Sequence, residues 1–168
     1  MPEAGVDRGE YLQHKFGGRS TQIYARVGAA GAAVGIPFAF DKVTRQPNTL
    51  AAHSLIALAA DAGLQDRAVE AFFHAYFIEG RDLTSSRVLT EIACGAGLEI
   101  EKVQACLAGA EAREHIRAED EEARRIGVEG VPFFIISRRF AVSGAQDPEV
   151  LLEAMLKSGS EIPAAADG

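Results

Sequence analysis

The stretch Gly127-Val128-Glu129-Gly130-Val131-Pro132-Phe133-Phe134-Ile135-Ile136 marks a change of period in this chain. Before it, apolar residues recur at helical spacing. From Phe133 to Ile136 they run on without interruption, the pattern of a strand buried on both faces. Ser137-Arg138-Arg139 reads as a turn, Phe140-Ala141-Val142 as a short return strand, and Ser143-Gly144-Ala145-Gln146 as a loop. Asp147-Pro148-Glu149 then supplies an N-cap, a proline at the first helical position and an acid in the first turn. Val150, Leu151, Leu152, Met155 and Leu156 give the helix its apolar side. Residues 127–158 thus read as a ββα unit, and 159–168 as a flexible tail.

Working back from that unit, residues 1–126 read as a helical subdomain. Tyr11, Leu12 and Phe16 keep helical spacing until Gly17-Gly18, and Ser20 or Thr21 can cap a second helix that runs to Gly35. Ile36-Pro37-Phe38-Ala39-Phe40 breaks the period and predicts an extended segment up to Pro47. Asn48 is a good N-cap for a helix carrying Leu50, His53, Leu55, Ile56 and Leu58. Residues 64–79, with Val69, Phe72, Phe73, Tyr76 and Phe77, predict one further apolar helix. Shorter helices are expected near 85–94 and 99–108. Residues 111–126 interleave acids with arginines, which reads as a solvated helix face laced with i,i+4 pairs rather than a docking surface.

Seventeen Lys and Arg against 24 Asp and Glu give a formal charge of −7, which argues against a phosphate-binding surface and hence against nucleic acid as partner. No apolar run approaches the ~20 residues of a membrane span, and residues 1–20 lack the apolar core of a secretory signal. The only cysteines are Cys94 and Cys106, so a disulfide scaffold is excluded and a reducing cytoplasm is the expected setting. They lack C-x-x-C spacing and sit among Ile92, Ala93, Val103 and Leu107, which marks them as small core hydrophobes. No His/Cys cluster has metal-ligand spacing, and no metal is expected.

Several segments, in order along the chain, carry a family resemblance. They are Pro2-Glu3-Ala4-Gly5-Val6-Asp7, Tyr11-Leu12 with Lys15-Phe16-Gly17, and Pro47-Asn48-Thr49-Leu50-Ala51-Ala52-His53. They continue with Ala75-Tyr76-Phe77-Ile78-Glu79-Gly80-Arg81-Asp82, then Gly127 to Phe134 and Ser143 to Gln146. The chain resembles a DsbA-family protein of the FrnE-like branch, related to 2-hydroxychromene-2-carboxylate isomerases and kappa-class glutathione transferases. The resemblance implies an α/β class: an incomplete thioredoxin-like fold, its C-terminal ββα part carrying a large all-helical insertion. Family members open with a strand, an active-site C-x-x-C (or a serine in the isomerase branch) and a second strand. Met1 stands where they are already past that segment. The expectation is therefore a truncated sequence, or a protein that has lost the redox chemistry, with no catalytic residue of its own.

What the resemblance implies for binding falls on six residues. Val131 precedes Pro132, whose peptide bond is cis in the family and leaves the backbone of the preceding residue free to pair with an extended substrate. Asn48 and Thr49 correspond to the pair that lines the cleft in related proteins, and His53, which follows them, reads either as facing that cleft or as a helix-surface or satisfied core histidine. Gln146 lies where glutathione-using relatives hold the glutamyl end of that peptide, although aspartate is the usual residue there. His14, His74 and His115 receive no role.

The leading function is a DsbA-like thiol–disulfide oxidoreductase acting on protein thiols and disulfides or a small thiol, inactive alone. The alternatives are a glutathione-dependent isomerase of the 2-hydroxychromene-2-carboxylate type and a non-catalytic helical interaction module. No cofactor is required under the first reading, and glutathione is the allowed one under the second. Without a first strand beside it, 133–136 would be an apolar edge, so the chain is expected to form a homo-oligomer through it.

Overall fold

The computed structural model describes residues 1–160. The chain divides into two compact units, Met1–Arg117 and the residues from Ala118 onward.

The first unit begins with a pairing that spans most of its length. Strand β1 (Val6–Asp7) lies antiparallel to β2 (Arg45–Gln46), with Val6 opposite Gln46 and Asp7 opposite Arg45. Helix α1 (Arg8–Phe16) starts at once, because the Asp7 carboxylate accepts the Glu10 N–H at 2.9 Å and takes up one of the free donors of the first turn. Helix α2 (Ser20–Ala33) follows a short 3₁₀ turn at Gly17–Arg19. The segment expected to be extended up to Pro47 instead makes a 3₁₀ turn at Phe40–Lys42 before β2.

Helices α3 (Leu50–Asp61), α4 (Gln65–Phe73), α5 (Ser86–Gly95) and α6 (Ile100–Ala108) build the core. Leu55, Ala59, Ala68, Ala93 and Val103 are wholly buried there, with Phe72 and Leu89 beside them. The alanines let α3 approach α4, α5 and α6 closely, while Leu55 and Val103 fill the space between them. Burial of each such leucine or valine is worth about 1.5–3 kcal/mol.

The single helix expected over 64–79 does not form. α4 ends at Phe73 and gives way to a π-helical turn, His74–Ile78, in which Glu79 donates its N–H to the His74 carbonyl at 3.1 Å. The turn closes at Gly80, whose φ of +72° needs glycine twice over. A Cβ there would also sit 2.8 Å from the Lys42 carbonyl oxygen.

Helix α7 (Glu111–Arg125) contains the break between units and has no buried residue, as its interleaved charges predict. Its C-terminal half carries an expected i,i+4 pair, in which Arg124 makes a two-pronged bridge to Asp120 at 2.9 and 3.2 Å, while Arg125 bonds Glu122 at i,i+3 spacing.

In the second unit β3 (Phe133–Ile136) pairs antiparallel with β4 (Phe140–Ser143), Phe133 opposite Ser143 and Ile136 opposite Phe140. Helix α8 (Pro148–Ser160) packs against both strands. β3 is not buried on both faces: Ile135 is 51% exposed, because this sheet has only two strands and one helix to cover it among the described residues. The tail read at 159–168 is helical as far as Ser160, and the rest of it lies outside the described residues.

Candidate functional site

The binding residues expected from the sequence fall in both units. In the first, the N-terminus of α3 is organised by Asn48. Its Oδ1 accepts the Leu50 N–H at 3.1 Å and its Nδ2 donates to the Met1 carbonyl at 3.0 Å. Asn48 therefore caps α3 from one residue outside the cap position. Thr49 occupies that position and makes no side-chain capping bond. His53 donates its backbone N–H to the Thr49 carbonyl at 2.9 Å, and its exposed ring has no hydrogen bond among the described residues.

A cavity of about 320 Å³ opens beside this helix end, lined by Asn48, Leu50, Thr84, Glu3, Arg113 and Arg117 among others. Asn48 lines it; Thr49 and His53 do not. The two arginines stand one helical turn apart on α7, so both reach the same wall. Arg113 Nη1 donates to the Leu107 carbonyl at 3.0 Å and lies 3.8 Å from the Glu3 carboxylate. Arg117 makes no ion pair among the described residues. The wall can hold a carbonyl or carboxylate oxygen against guanidinium donors. Sequence reasoning missed this pair by reading the whole charged helix as solvated. The available signal was the Arg113–Arg117 spacing, which isolates two cations on one face.

In the second unit Val131 is 89% exposed, and its backbone N–H and C=O make no hydrogen bond among the described residues. The Val131–Pro132 peptide bond is cis. The Pro132 carbonyl accepts the Gly144 N–H at 2.9 Å, which ties the start of β3 to the loop after β4. Gly144 has φ +82°, the left-handed conformation that glycine tolerates. Gln146 folds back on the same loop, its Nε2 donating to the Ser143 carbonyl at 2.8 Å. Val131, Pro132 and Gln146 are thus drawn together by one short loop contact. Val131 presents a free backbone donor and acceptor, the requirement for adding an extended peptide strand.

Both cysteines belong to the first unit. Cys94 on α5 and Cys106 on α6 are both free and half-buried, packed against the helical core. Burial pushes the Cys106 thiol above its ordinary range, against a smaller opposing pull from Arg113. Among the described residues no cluster of His, Cys, Asp and Glu could hold a metal ion, and no helix is long and apolar enough to cross a membrane.

A family model described as a DSBA-like thioredoxin domain matches residues 1–156, which takes in both units. Among solved structures, the crystal structure of a probable DsbA oxidoreductase from Streptomyces coelicolor is similar to this chain, at 33% sequence identity and a TM-score of 0.80. The likeness covers 95% of this chain and 70% of that one. No curated protein matches significantly.

Proposed function

We propose, because the chain belongs to the DsbA-like thioredoxin domain family, that its function is of thiol–disulfide oxidoreductase type and that its own residues do the substrate-holding part of the work. The observation that carries this reading is Val131. It is almost fully exposed, with a free backbone N–H and C=O, at the head of a strand and tied through Pro132 to a rigid glycine turn. An extended segment of a protein substrate would bond there as an added strand, bringing its sulfur to a thiolate. In the first unit, Asn48 with Arg113 and Arg117 would contribute a separate polar surface, and Thr49 and His53 would act from outside that cavity. Exchange itself needs a thiolate that attacks a disulfide and a second thiol that displaces it from the mixed disulfide. The FrnE-like branch is the one we favour, on the Pro47-Asn48-Thr49 and Gly127-to-Phe134 segments, and a reducing cytoplasm suits its two free thiols.

The test is a ¹H–¹⁵N NMR titration of the chain with an extended peptide whose cysteine is replaced by serine. Shifts should concentrate at 131, 133 and 144–146, with a second group near 48–53. Shifts confined to other segments would remove the reading. Glutathione in a parallel titration addresses the isomerase alternative. One Gln146 N–H is taken by the Ser143 carbonyl, which folds the side chain back on its own loop, so glutathione should bind more weakly than the peptide.

The partner proposal is a second copy of the chain, joined along the edge of β3 that has no strand beside it among the described residues. Light scattering over a concentration series should show association, and Ile135→Lys should shift it to higher concentration. A wild-type chain that stays monomeric throughout would rule this out.

A further inference from the structure

The π-helical turn and the segment before β2 form a groove that the substrate-holding surfaces do not use. Its construction begins at Gly31, where a Cβ would lie 2.5 Å from a Phe38 ring carbon, so the absence of a side chain lets that ring settle against α2. Phe38 stacks on Phe40 with centroids 4.9 Å apart and meets Phe77 edge-on at 5.9 Å. Phe73 lies 5.9 Å from Phe77. The Phe77 carbonyl, within the π turn, accepts the Ala39 N–H at 2.8 Å and pins the Ile36–Ala39 segment in place. The result is an open groove of about 410 Å³, walled by Ile36, Phe38, Phe73 and Phe77, inside the size range of ligand pockets.

Two features mark it as unfilled. Phe73 is 56% exposed and Ile36 42%, with Val34 nearby in the chain at 73%, so apolar surface is concentrated at one place. The Glu70 side chain lines it and its carboxylate has no hydrogen bond or ion pair among the described residues, and no lysine or arginine lines it. His74 also lines it, with Nδ1 3.3 Å from the Glu79 carboxylate.

We propose that this groove docks a short segment of a partner protein bearing an aromatic anchor flanked by lysine or arginine. The anchor ring would pack edge-to-face on Phe73 and Phe77, as rings in this cluster already do with each other. The flanking cation would meet the Glu70 carboxylate and the exposed face of Phe73. The volume suits one or two large side chains rather than a whole helix. The proposal stands on the groove alone and does not depend on the oxidoreductase reading.

The test uses the full chain and two blocked tripeptides, arginyl-phenylalanyl-arginine amide and its glutamyl-phenylalanyl-glutamic counterpart, in ¹H–¹⁵N NMR titrations. The cationic peptide should shift the amides of Ile36, Phe38 and residues 73–78 and leave those of 131–146 unmoved. The acidic peptide should bind about threefold to tenfold more weakly at low salt, a gap that narrows as salt is added. Glu70→Lys should invert the preference. Phe73→Ala should abolish both responses while thermal unfolding stays close to wild type, since Phe73 is more exposed than buried. Equal responses to the two peptides, or shifts outside the groove, would overturn the proposal. So would a concentration-dependent dimer in sedimentation that Glu70→Lys dissociates, because the occupant would then be a second copy.

Discussion

Reduction of insulin by the 168-residue chain alone should run no faster than the buffer blank, and Cys94→Ser or Cys106→Ser should leave that rate unchanged. Dithiol exchange needs one thiol to attack as thiolate and another close enough to resolve the mixed disulfide, with Cα atoms within about 7 Å. The two cysteines here belong to different helices joined by residues 96–99, and neither is bonded to the other. Burial raises the Cys106 thiol above its ordinary range, which disfavours the thiolate that exchange needs. Cys94 and Cys106 both lie in the last turns of their own helices, where the dipole disfavours an anion. The expected effect is an absence of turnover. Turnover well above blank that either serine variant abolishes would show that the cysteines are a working pair and that the substrate-holding reading is too small.

What the sequence discloses depends on how local the determining physics is. The β3–β4–α8 unit was legible because each piece announces itself over a few residues: an uninterrupted apolar run, a short turn, and Asp147-Pro148-Glu149 at a helix start. Asn48 was legible for the same reason, since capping chemistry acts over two or three residues. The β1–β2 pairing was not, because two-residue strands about forty positions apart leave no periodic trace. Nor was the π turn at His74–Ile78, whose apolar residues fit an α-helical spacing equally well. The exposure of Ile135 followed from how few elements cover β3, a tertiary fact that an apolar run cannot reveal. In the second unit, the Pro132–Gly144 bond ties the loop that carries Gln146 to the start of β3. Thr49 and His53 lie outside the cavity beside Asn48, and Arg113 and Arg117 join it from a helix that looked merely solvated.

Arg8→Ala should destabilise the first unit by about 2–4 kcal/mol, read as a lower urea midpoint at unchanged slope in far-ultraviolet circular dichroism. Arg8 is only 6% exposed, an unusual place for a cation, and it stands at the first position of α1, where the helix dipole repels positive charge. No carboxylate reaches it by a hydrogen bond among the described residues. Its Nη1 donates to Gln46 Oε1 at 2.6 Å and to the Tyr76 hydroxyl at 3.1 Å, and Tyr76 in turn donates to the Arg45 carbonyl at 3.1 Å. Burial pushes the Tyr76 phenol up, so at neutral pH it is a neutral acceptor and not a counter-ion. Tyr24 and Tyr76 offer ring faces at 5.1 and 5.9 Å from the guanidinium. Two charge-assisted hydrogen bonds at about 1.5–3 kcal/mol each roughly offset desolvation of the cation. The loss in the alanine variant then comes from the cavity and from the Gln46 oxygen left without its donor. Arg8→Met, which fills the space without the charge, should accordingly cost about 1 kcal/mol, well under the alanine change. An equal cost for both would show that the charge, not the packing, holds the network. A loss below about 0.5 kcal/mol for alanine would sink the argument altogether. The network also grips Arg45 and Gln46, two residues before Asn48. Loosening it should therefore broaden the amide signals of Asn48 and Leu50 before the core around Leu55 responds, which couples a buried arginine to the helix end that lines the candidate site.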